Sequence, residues 1–326
     1  MADVLVLYNN TPGPVGLNEA HIEQMRRVAS GSVYWRGTEA EALSEGLDTE
    51  VAFIWGGSGP QPVEYCLKSK NLRWIHSFSA GLNPIMDSPI ARLDVRLTNA
   101  KGIHGGTMAL TTMGYIVALL RDFPGLYRNQ ANHVWQKSTD PLPREAEGLT
   151  LCILGAGAIG GEVARLAKAF GMRVTGVKRS VAALERYDAV YPAERMGEAV
   201  GEADFVVVLV PATPDTYHMV DAGFLAGMKK TACLINISRG SVVDGDALAE
   251  ALREGRIAGA ALDAVEDEPL SPDSPLWDMR GVIITPHCSA DTAKYMDRAV
   301  AQFCELLRLY EAGEPLFNEI GMGQTY

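Results

Sequence analysis

The sequence predicts an α/β protein built on parallel sheets, and three observations carry that prediction. Short apolar runs recur along the chain with helical or loop segments between them, the alternation of a parallel sheet covered by helices. In the second half these runs are near-continuously apolar, as strands buried on both faces must be. Between one such run and the helix after it stands Gly155-Ala156-Gly157-Ala158-Ile159-Gly160, a spacing suited to a tight strand-to-helix turn.

Taken in order, Val4–Leu7, Val51–Trp55, Leu72–Phe78 and Val95–Thr98 are predicted strands, with Asn18–Val28 and Pro62–Leu67 as helical or loop segments between them. Met108–Asp122 predicts a long helix, stopped by Phe123-Pro124-Gly125. Asn129–Gly148 is polar, carries Pro141-Leu142-Pro143 and reads as an arm or connection. A stronger α/β pattern starts at Leu149. It runs through strand Leu149–Leu154, helix Ile159–Phe170 with Ile159, Val163, Leu166 and Phe170 on one face, a stop at Gly171, and strand Arg173–Val177. Phe205–Val210, Cys233–Ile237, Ala258–Leu262 and Val282–Thr285 are predicted as further buried strands. The last element is an amphipathic helix with Met296, Val300, Phe303, Leu307 and Tyr310 as its apolar stripe.

A chain of 326 residues has room for two domains, each with its own core. The net charge of −11 argues against nucleic acid or an anionic membrane surface as partner, while leaving room for a small anionic substrate in a locally positive cleft. No apolar run has the length of a membrane span and no basic leader precedes Val4, so the expected address is the cytoplasm. Cys66, Cys152, Cys233, Cys288 and Cys304 form no C-x-x-C pair, so neither a disulfide framework nor a metal site is expected.

Between a strand and a helix, G-x-G-x-x-G is a dinucleotide fingerprint. The first glycine makes the turn, the second admits a pyrophosphate, the third packs helix on strand, and the helix N-terminus with Ala158 and Ile159 supplies amide donors. Sites for NAD place an acid at the end of the next strand, against the ribose 2′-hydroxyl. Here that position reads Lys178-Arg179-Ser180, two cations and a hydroxyl suited to a 2′-phosphate. NADP is therefore expected ahead of NAD, with NAD left open.

Three polar motifs end later strands: Ile235-Asn236-Ile237-Ser238-Arg239-Gly240, Leu262-Asp263 running to Glu268-Pro269-Leu270, and Thr285-Pro286-His287. Ligands of open α/β sheets bind outside the carboxyl ends of the strands, so these residues are expected at one site. With the glycine turn and Ser79-Ala80-Gly81-Leu82-Asn83, they make the chain closely resemble the D-isomer-specific 2-hydroxyacid dehydrogenase family along essentially its whole length. The resemblance implies two α/β domains, a doubly wound Rossmann domain (residues 101–288) inserted into a smaller flavodoxin-like substrate domain (residues 1–100 and 289–326), with the active site between them. It implies that Arg239 clamps the substrate carboxylate and polarises its keto group. It implies that His287 is the acid–base residue, and that Glu268 orients the ring and favours its protonated form. The backbone amides of Ser79, Ala80 and Gly81 would hold the carboxylate from the other domain. Val210, Pro211, Ile237, Ser238, Asp263 and Ser289 would lie along the cofactor. The chemistry asks for these residue types in its own right, because hydride delivery to a carbonyl develops alkoxide charge that needs a fixed cation and an acid titrating near neutrality.

The implied activity is reduction of a small 2-keto acid by a homodimer, glyoxylate or hydroxypyruvate fitting best and bulkier acids remaining open. Loops near Tyr8-Asn9-Asn10, Trp55–Gly59 and Phe78 would set substrate size. Two departures stand out: Leu110 occupies the place where the family usually has glutamate, and Lys178 the place where NAD-preferring members have aspartate. A different class of reading is a nucleotide-sensing binding protein of the corepressor type, which shares the fold. His76 and His104 are expected in ordinary polar packing or near the substrate, and His21, His133 and His218 have no motif behind them. Trp135 is expected either buried or in a dimer arm.

Overall fold

The structure, a computed structural model, describes residues 1–8, 16–57, 59–136, 142–179 and 184–321. Asn9, Asn10, Pro141 and Ser180, singled out above, lie outside the described residues. The chain divides into two compact units, Met1–Ile103 with Asp291–Tyr326, and His104–Ala290.

In the first unit, β1 (Val4–Leu7), β2 (Val33–Arg36), β3 (Val51–Ile54), β4 (Trp74–Ser77) and β5 (Arg96–Asn99) form a parallel sheet in the order β2-β1-β3-β4-β5. A short strand near the end of the chain, β13 (Glu319–Ile320), adds antiparallel to β5. Strand side chains alternate between two cores, the period of two that a pleated strand imposes. Val4, Val6, Phe53 and Trp74 pack with α1 (Glu19–Arg26) and α11 (Tyr295–Glu311). Leu5, Ala52, Ile54 and Ile75 pack with α2 (Glu39–Ser44), α3 (Val63–Lys68) and α4 (Asn83–Met86). The predicted stripe of α11 is confirmed: Met296, Val300, Phe303 and Leu307 are buried and Tyr310 packs at its edge. Asn18 caps α1 by a capping box, accepting the His21 amide while the His21 ring accepts its own.

The second unit opens with α5 (Gly105–Leu120) and α6 (Phe123–Ala131). Then follow β6 (Thr150–Leu154), α7 (Ala158–Ala169), β7 (Arg173–Val177), β8 (Ala189–Tyr191), α8 (Met196–Gly201), β9 (Phe205–Val208), α9 (Ala222–Ala226), β10 (Cys233–Asn236), α10 (Gly245–Arg253), β11 (Gly259–Leu262) and β12 (Val282–Ile284). All seven strands are parallel in the order β12-β11-β10-β9-β6-β7-β8. This is a doubly wound sheet whose order reverses between β6 and β9. Leu151, Ile153, Val207 and Ile235 face α5 and α7, while Cys152, Leu154, Val206 and Leu234 face the helices of the other layer.

Several boundaries differ from the sequence reading. Phe123-Pro124-Gly125 does stop α5, but the same residues open α6. Asp122 adopts φ 51° and its carboxylate accepts the Gly125 amide at 3.3 Å. Proline in a first helical turn removes no hydrogen bond, so it marks a start as readily as a stop. Asn129–Ala131 accordingly belong to α6 rather than to the arm. Phe170 is the C-cap of α7 and is exposed, not part of its buried face. Trp55, Phe78, Val210, Ile237 and Thr285 lie beyond the ends of their strands. An apolar run reports burial, and burial continues into the loop after the ladder has ended. Trp135 is almost fully exposed on this chain, not buried. Among the described residues, no helix is long and apolar enough to cross a membrane.

Candidate active site

The glycine turn joins β6 to α7 at the point where the sheet order reverses. Gly155 sits at φ 97°, and a Cβ there would come within 2.8 Å of the Leu209 carbonyl. Leu209–Val210, the exit from β9, is thus pressed against the turn. A Cβ on Gly160 would stand 2.9 Å from the Gly155 oxygen and 3.0 Å from the Tyr187 hydroxyl, so helix and strand pack at a distance that allows no side chain. A Cβ on Gly157 would meet nothing within 4 Å. That is the open approach a pyrophosphate needs, and the amides of Ala158, Ile159 and Gly160 open α7 beside it without intrahelical acceptors. The residues present therefore fit a dinucleotide.

Lys178 and Arg179 follow β7, Lys178 half-buried and Arg179 exposed. Neither side chain makes an ion pair or hydrogen bond with a described residue; the Lys178 amide donates to the Tyr191 oxygen at 3.1 Å. Ser180, their expected companion, lies outside the described residues. Pro211 is exposed beyond β9, its carbonyl accepting the Thr216 hydroxyl at 2.7 Å.

Asn236, the last residue of β10, organises the segment carrying Arg239. Its Nδ2 donates to the Arg239 oxygen at 3.1 Å and the Ala264 oxygen at 3.0 Å, and its Oδ1 accepts the amide and hydroxyl of Ser238. Ile237 is buried among the core residues beneath. Gly240 lets this segment lie against the next strand's exit, since a Cβ there would fall 1.8 Å from the Val265 oxygen. The Arg239 guanidinium donates to the Ser238 oxygen at 2.8 Å. Burial lowers its pKa from the ordinary arginine value, and the negative charge of Glu268 opposes that shift.

Asp263, at the exit of β11, is buried and its carboxylate is committed to the loop that bears His287. Oδ1 accepts the Thr285 hydroxyl at 2.6 Å and the Cys288 amide at 2.9 Å, and Oδ2 accepts the Ser289 amide at 2.9 Å. The Asp263 carbonyl accepts the His287 amide at 2.9 Å. These bonds hold His287 at φ 51°, a left-handed conformation uncommon for a residue with a Cβ. His287 Nδ1 lies 2.9 Å from Glu268 Oε2 and 3.1 Å from Oε1, while Oε1 also accepts the Val265 amide at 3.3 Å. One ring nitrogen is engaged by the carboxylate, and Nε2 makes no hydrogen bond with a described residue. Such a pair fixes the orientation of the imidazole.

In the first unit, Ser79-Ala80-Gly81 follows β4. The Ser79 amide is spent on Ser77 Oγ at 3.1 Å, whereas those of Ala80 and Gly81 make no hydrogen bond with a described residue. Asn99 braces the loop by donating to the Ala80 oxygen at 2.7 Å.

Some supporting residues carried no sequence signal. Tyr115 and Thr111 of α5 reach the His287 loop, through Thr285 at 2.5 Å and the Ser289 oxygen at 3.1 Å. His218, which had no motif behind it, lies 2.5 Å from Glu266 and 3.8 Å from Asp244. Its backbone amide donates to the Ser241 oxygen, so it ties the acidic turn to the Arg239 segment. A left-handed φ of 47° at His218 appears only in the folded chain. Leu110, by contrast, is exposed on α5.

Residues 113–289 match the family described as D-isomer specific 2-hydroxyacid dehydrogenase, NAD binding domain. Over 261 residues the chain is 34% identical to a glyoxylate reductase of Korarchaeum cryptofilum, covering 78% of each. A D-isomer specific 2-hydroxyacid dehydrogenase family protein from Aeromonas salmonicida has a similar structure, with TM-score 0.83, 30% identity and 98% of both chains covered. So does an NADPH-dependent glyoxylate/hydroxypyruvate reductase of Sinorhizobium meliloti in complex with NADP and sulfate, with TM-score 0.81, 26% identity and 98% of both covered.

Proposed function

Since the chain belongs to the D-isomer specific 2-hydroxyacid dehydrogenase family, we propose that it is an NADPH-preferring reductase of 2-keto acids, with glyoxylate and hydroxypyruvate as its smallest substrates. The observation that carries this reading is the Glu268–His287 pair at 2.9 Å, in the same unit as Arg239 and the glycine turn. When bound, the nicotinamide supplies a hydride to the carbonyl carbon and takes one back in the reverse direction. His287 donates the proton to the carbonyl oxygen through Nε2, its ring aimed by Glu268 at Nδ1. Arg239 pairs with the substrate carboxylate and steadies the charge that develops on the oxygen. The amides of Ala80 and Gly81 hold the same carboxylate. Gly155, Gly157, Ala158, Ile159 and Gly160 cradle the pyrophosphate, with Val210, Pro211, Ile237, Ser238, Asp263 and Ser289 along the rest of the cofactor.

Preference for NADPH rests on Lys178 and Arg179, two cations with no described partner at the ribose position, and on the absence of a carboxylate there. The Sinorhizobium relative, itself NADPH-dependent, supports it. A homodimer and a cytoplasmic address belong to the same reading. The test is initial rates on glyoxylate and hydroxypyruvate with NADPH and NADH, for the wild type and for Lys178→Ala with Arg179→Ala. Turnover with NADPH preferred at least tenfold, and that preference lost in the double variant, is expected. Equal loss with both cofactors would refute the 2′-phosphate assignment. Tight cofactor binding without turnover would favour a nucleotide sensor.

A further inference from the structure

A cavity of about 700 Å³ opens within the first unit, past the carboxyl ends of β1, β2 and β3. Leu7 and Tyr8 line it from β1, Ile54 and Trp55 from β3, and Gly37 from β2. The order β2-β1-β3-β4-β5 reverses between β1 and β3, and open parallel sheets take their ligands outside the strand ends at such a reversal. The volume is in the range of small-molecule sites.

Three aromatic side chains line it, Tyr8, Trp55 and Tyr295, and all three touch Phe78, the residue before the Ser79–Gly81 loop. Tyr8 and Trp55 each lie 5.2 Å from the Phe78 ring, and Trp55 lies 6.3 Å from Tyr295. The Tyr295 hydroxyl donates to the Phe78 oxygen at 2.9 Å, one residue before Ser79. Among the described lining residues the ionisable carboxyl groups are Glu39 and Asp291, and no lysine or arginine is present.

We propose that this cavity receives the side chain of the 2-keto acid, favouring bulky apolar groups and rejecting a second anion. The proposal rests on the reading of Ala80 and Gly81 as donors to the substrate carboxylate. From that loop, the substituent on the keto carbon would extend toward Tyr8, Trp55 and Tyr295, which Phe78 backs from the core. Glyoxylate carries only hydrogen there and would leave the apolar walls to water. A branched or aromatic substituent would cover them, and each buried methylene strengthens transition-state binding, roughly tenfold or more in a fitted pocket. A carboxylate or phosphate would instead lose hydration beside Glu39 and Asp291 with no cation to replace it.

The experiment compares kcat/KM for glyoxylate, phenylpyruvate, 4-methyl-2-oxopentanoate and oxaloacetate with NADPH. The last two share a branched outline and differ in charge. We expect phenylpyruvate and 4-methyl-2-oxopentanoate to exceed glyoxylate at least tenfold, and 4-methyl-2-oxopentanoate to exceed oxaloacetate at least tenfold. In Trp55→Ala the ratio of 4-methyl-2-oxopentanoate to glyoxylate should fall at least fivefold. In Glu39→Gln with Asp291→Asn the ratio of oxaloacetate to 4-methyl-2-oxopentanoate should rise at least fivefold. Glyoxylate turned over better than both bulky acids, oxaloacetate equal to its uncharged counterpart, or unmoved ratios in the variants would each overturn this subsite while leaving the reductase reading intact. No turnover of any keto acid would overturn the reductase reading, and this inference with it.

Discussion

His287 is held by its backbone as firmly as by its side chain. Its amide is bonded to Asp263 and Thr285, and its ring nitrogen to Glu268. The pattern explains why an aspartate at the exit of β11 matters even with its carboxylate turned away from solvent: Asp263 spends its acceptors on the loop that presents the imidazole. Removing that imidazole should leave this scaffold in place, because the loop bonds are made by backbone and by Thr285. His287→Ala is therefore expected to lose two to four orders of magnitude in kcat, the usual worth of a positioned acid, while fluorescence titration still shows NADPH binding. Rates near those of the wild type would remove His287 from the chemistry. Glu268 could be singled out from Glu266 and Asp267 by its spacing before Pro269. The partner of Glu266 could not, since His218 lies 48 residues away in sequence.

At the scale of elements, β4 carries a titratable group that the chemistry does not use. His76 is completely buried, stacked on Phe53, with Nδ1 2.8 Å from Thr98 Oγ1 and Nε2 without a partner among the described residues. Burial drives its pKa down to about 3. The folded state thus refuses a proton that the unfolded chain accepts below about pH 6.5. Stability is unaffected above that value and falls as pH drops through the window from about 6.5 to about 3, by about 1.4 kcal/mol per unit. Between pH 7 and pH 4.5 the wild type should lose about 2–3 kcal/mol more than His76→Gln in urea titrations. Parallel losses in the two proteins would show that His76 is protonated without cost. Elements were legible where their pattern is long and two-sided, as in β6, α7, β7 and α11. Where the pattern is short and half-exposed the sequence carries no clear signal: β2, β8 and α10 lie under mixed sequence, and β8 packs at a sheet edge where one flank has no strand to bury it. In the sequence Pro124 signals a stop, because the left-handed Asp122 that makes it a start is a property of the folded backbone.

For the whole molecule, each unit has its own sheet and its own pair of cores, so each can respond separately to a ligand. The glycine turn, Lys178 and Arg179 all lie in His104–Ala290. A cofactor at a hundred times its Kd adds about 2.7 kcal/mol to the unit that binds it. Calorimetry with NADPH should therefore raise the unfolding temperature by several degrees, with NADH at the same concentration giving a smaller rise. The difference should vanish in Lys178→Ala with Arg179→Ala. A shift that is the same for both cofactors in the wild type would mean that the ribose position does not discriminate.

The α/β class, the turn from β6 to α7, and the residue types that end β7, β10, β11 and β12 are all written in the local sequence. These signals are local: periodicity along a segment, glycines at fixed offsets, and a charge where a strand stops. Tertiary structure alone decided which acceptors Asp263 has left, which amides of the Ser79–Gly81 loop are open, what Glu266 holds, and that a cavity with aromatic walls lies at the reversal between β1 and β3. Each of these depends on segments far apart in the chain meeting at hydrogen-bond or van der Waals distance, and no spacing along the chain encodes that meeting.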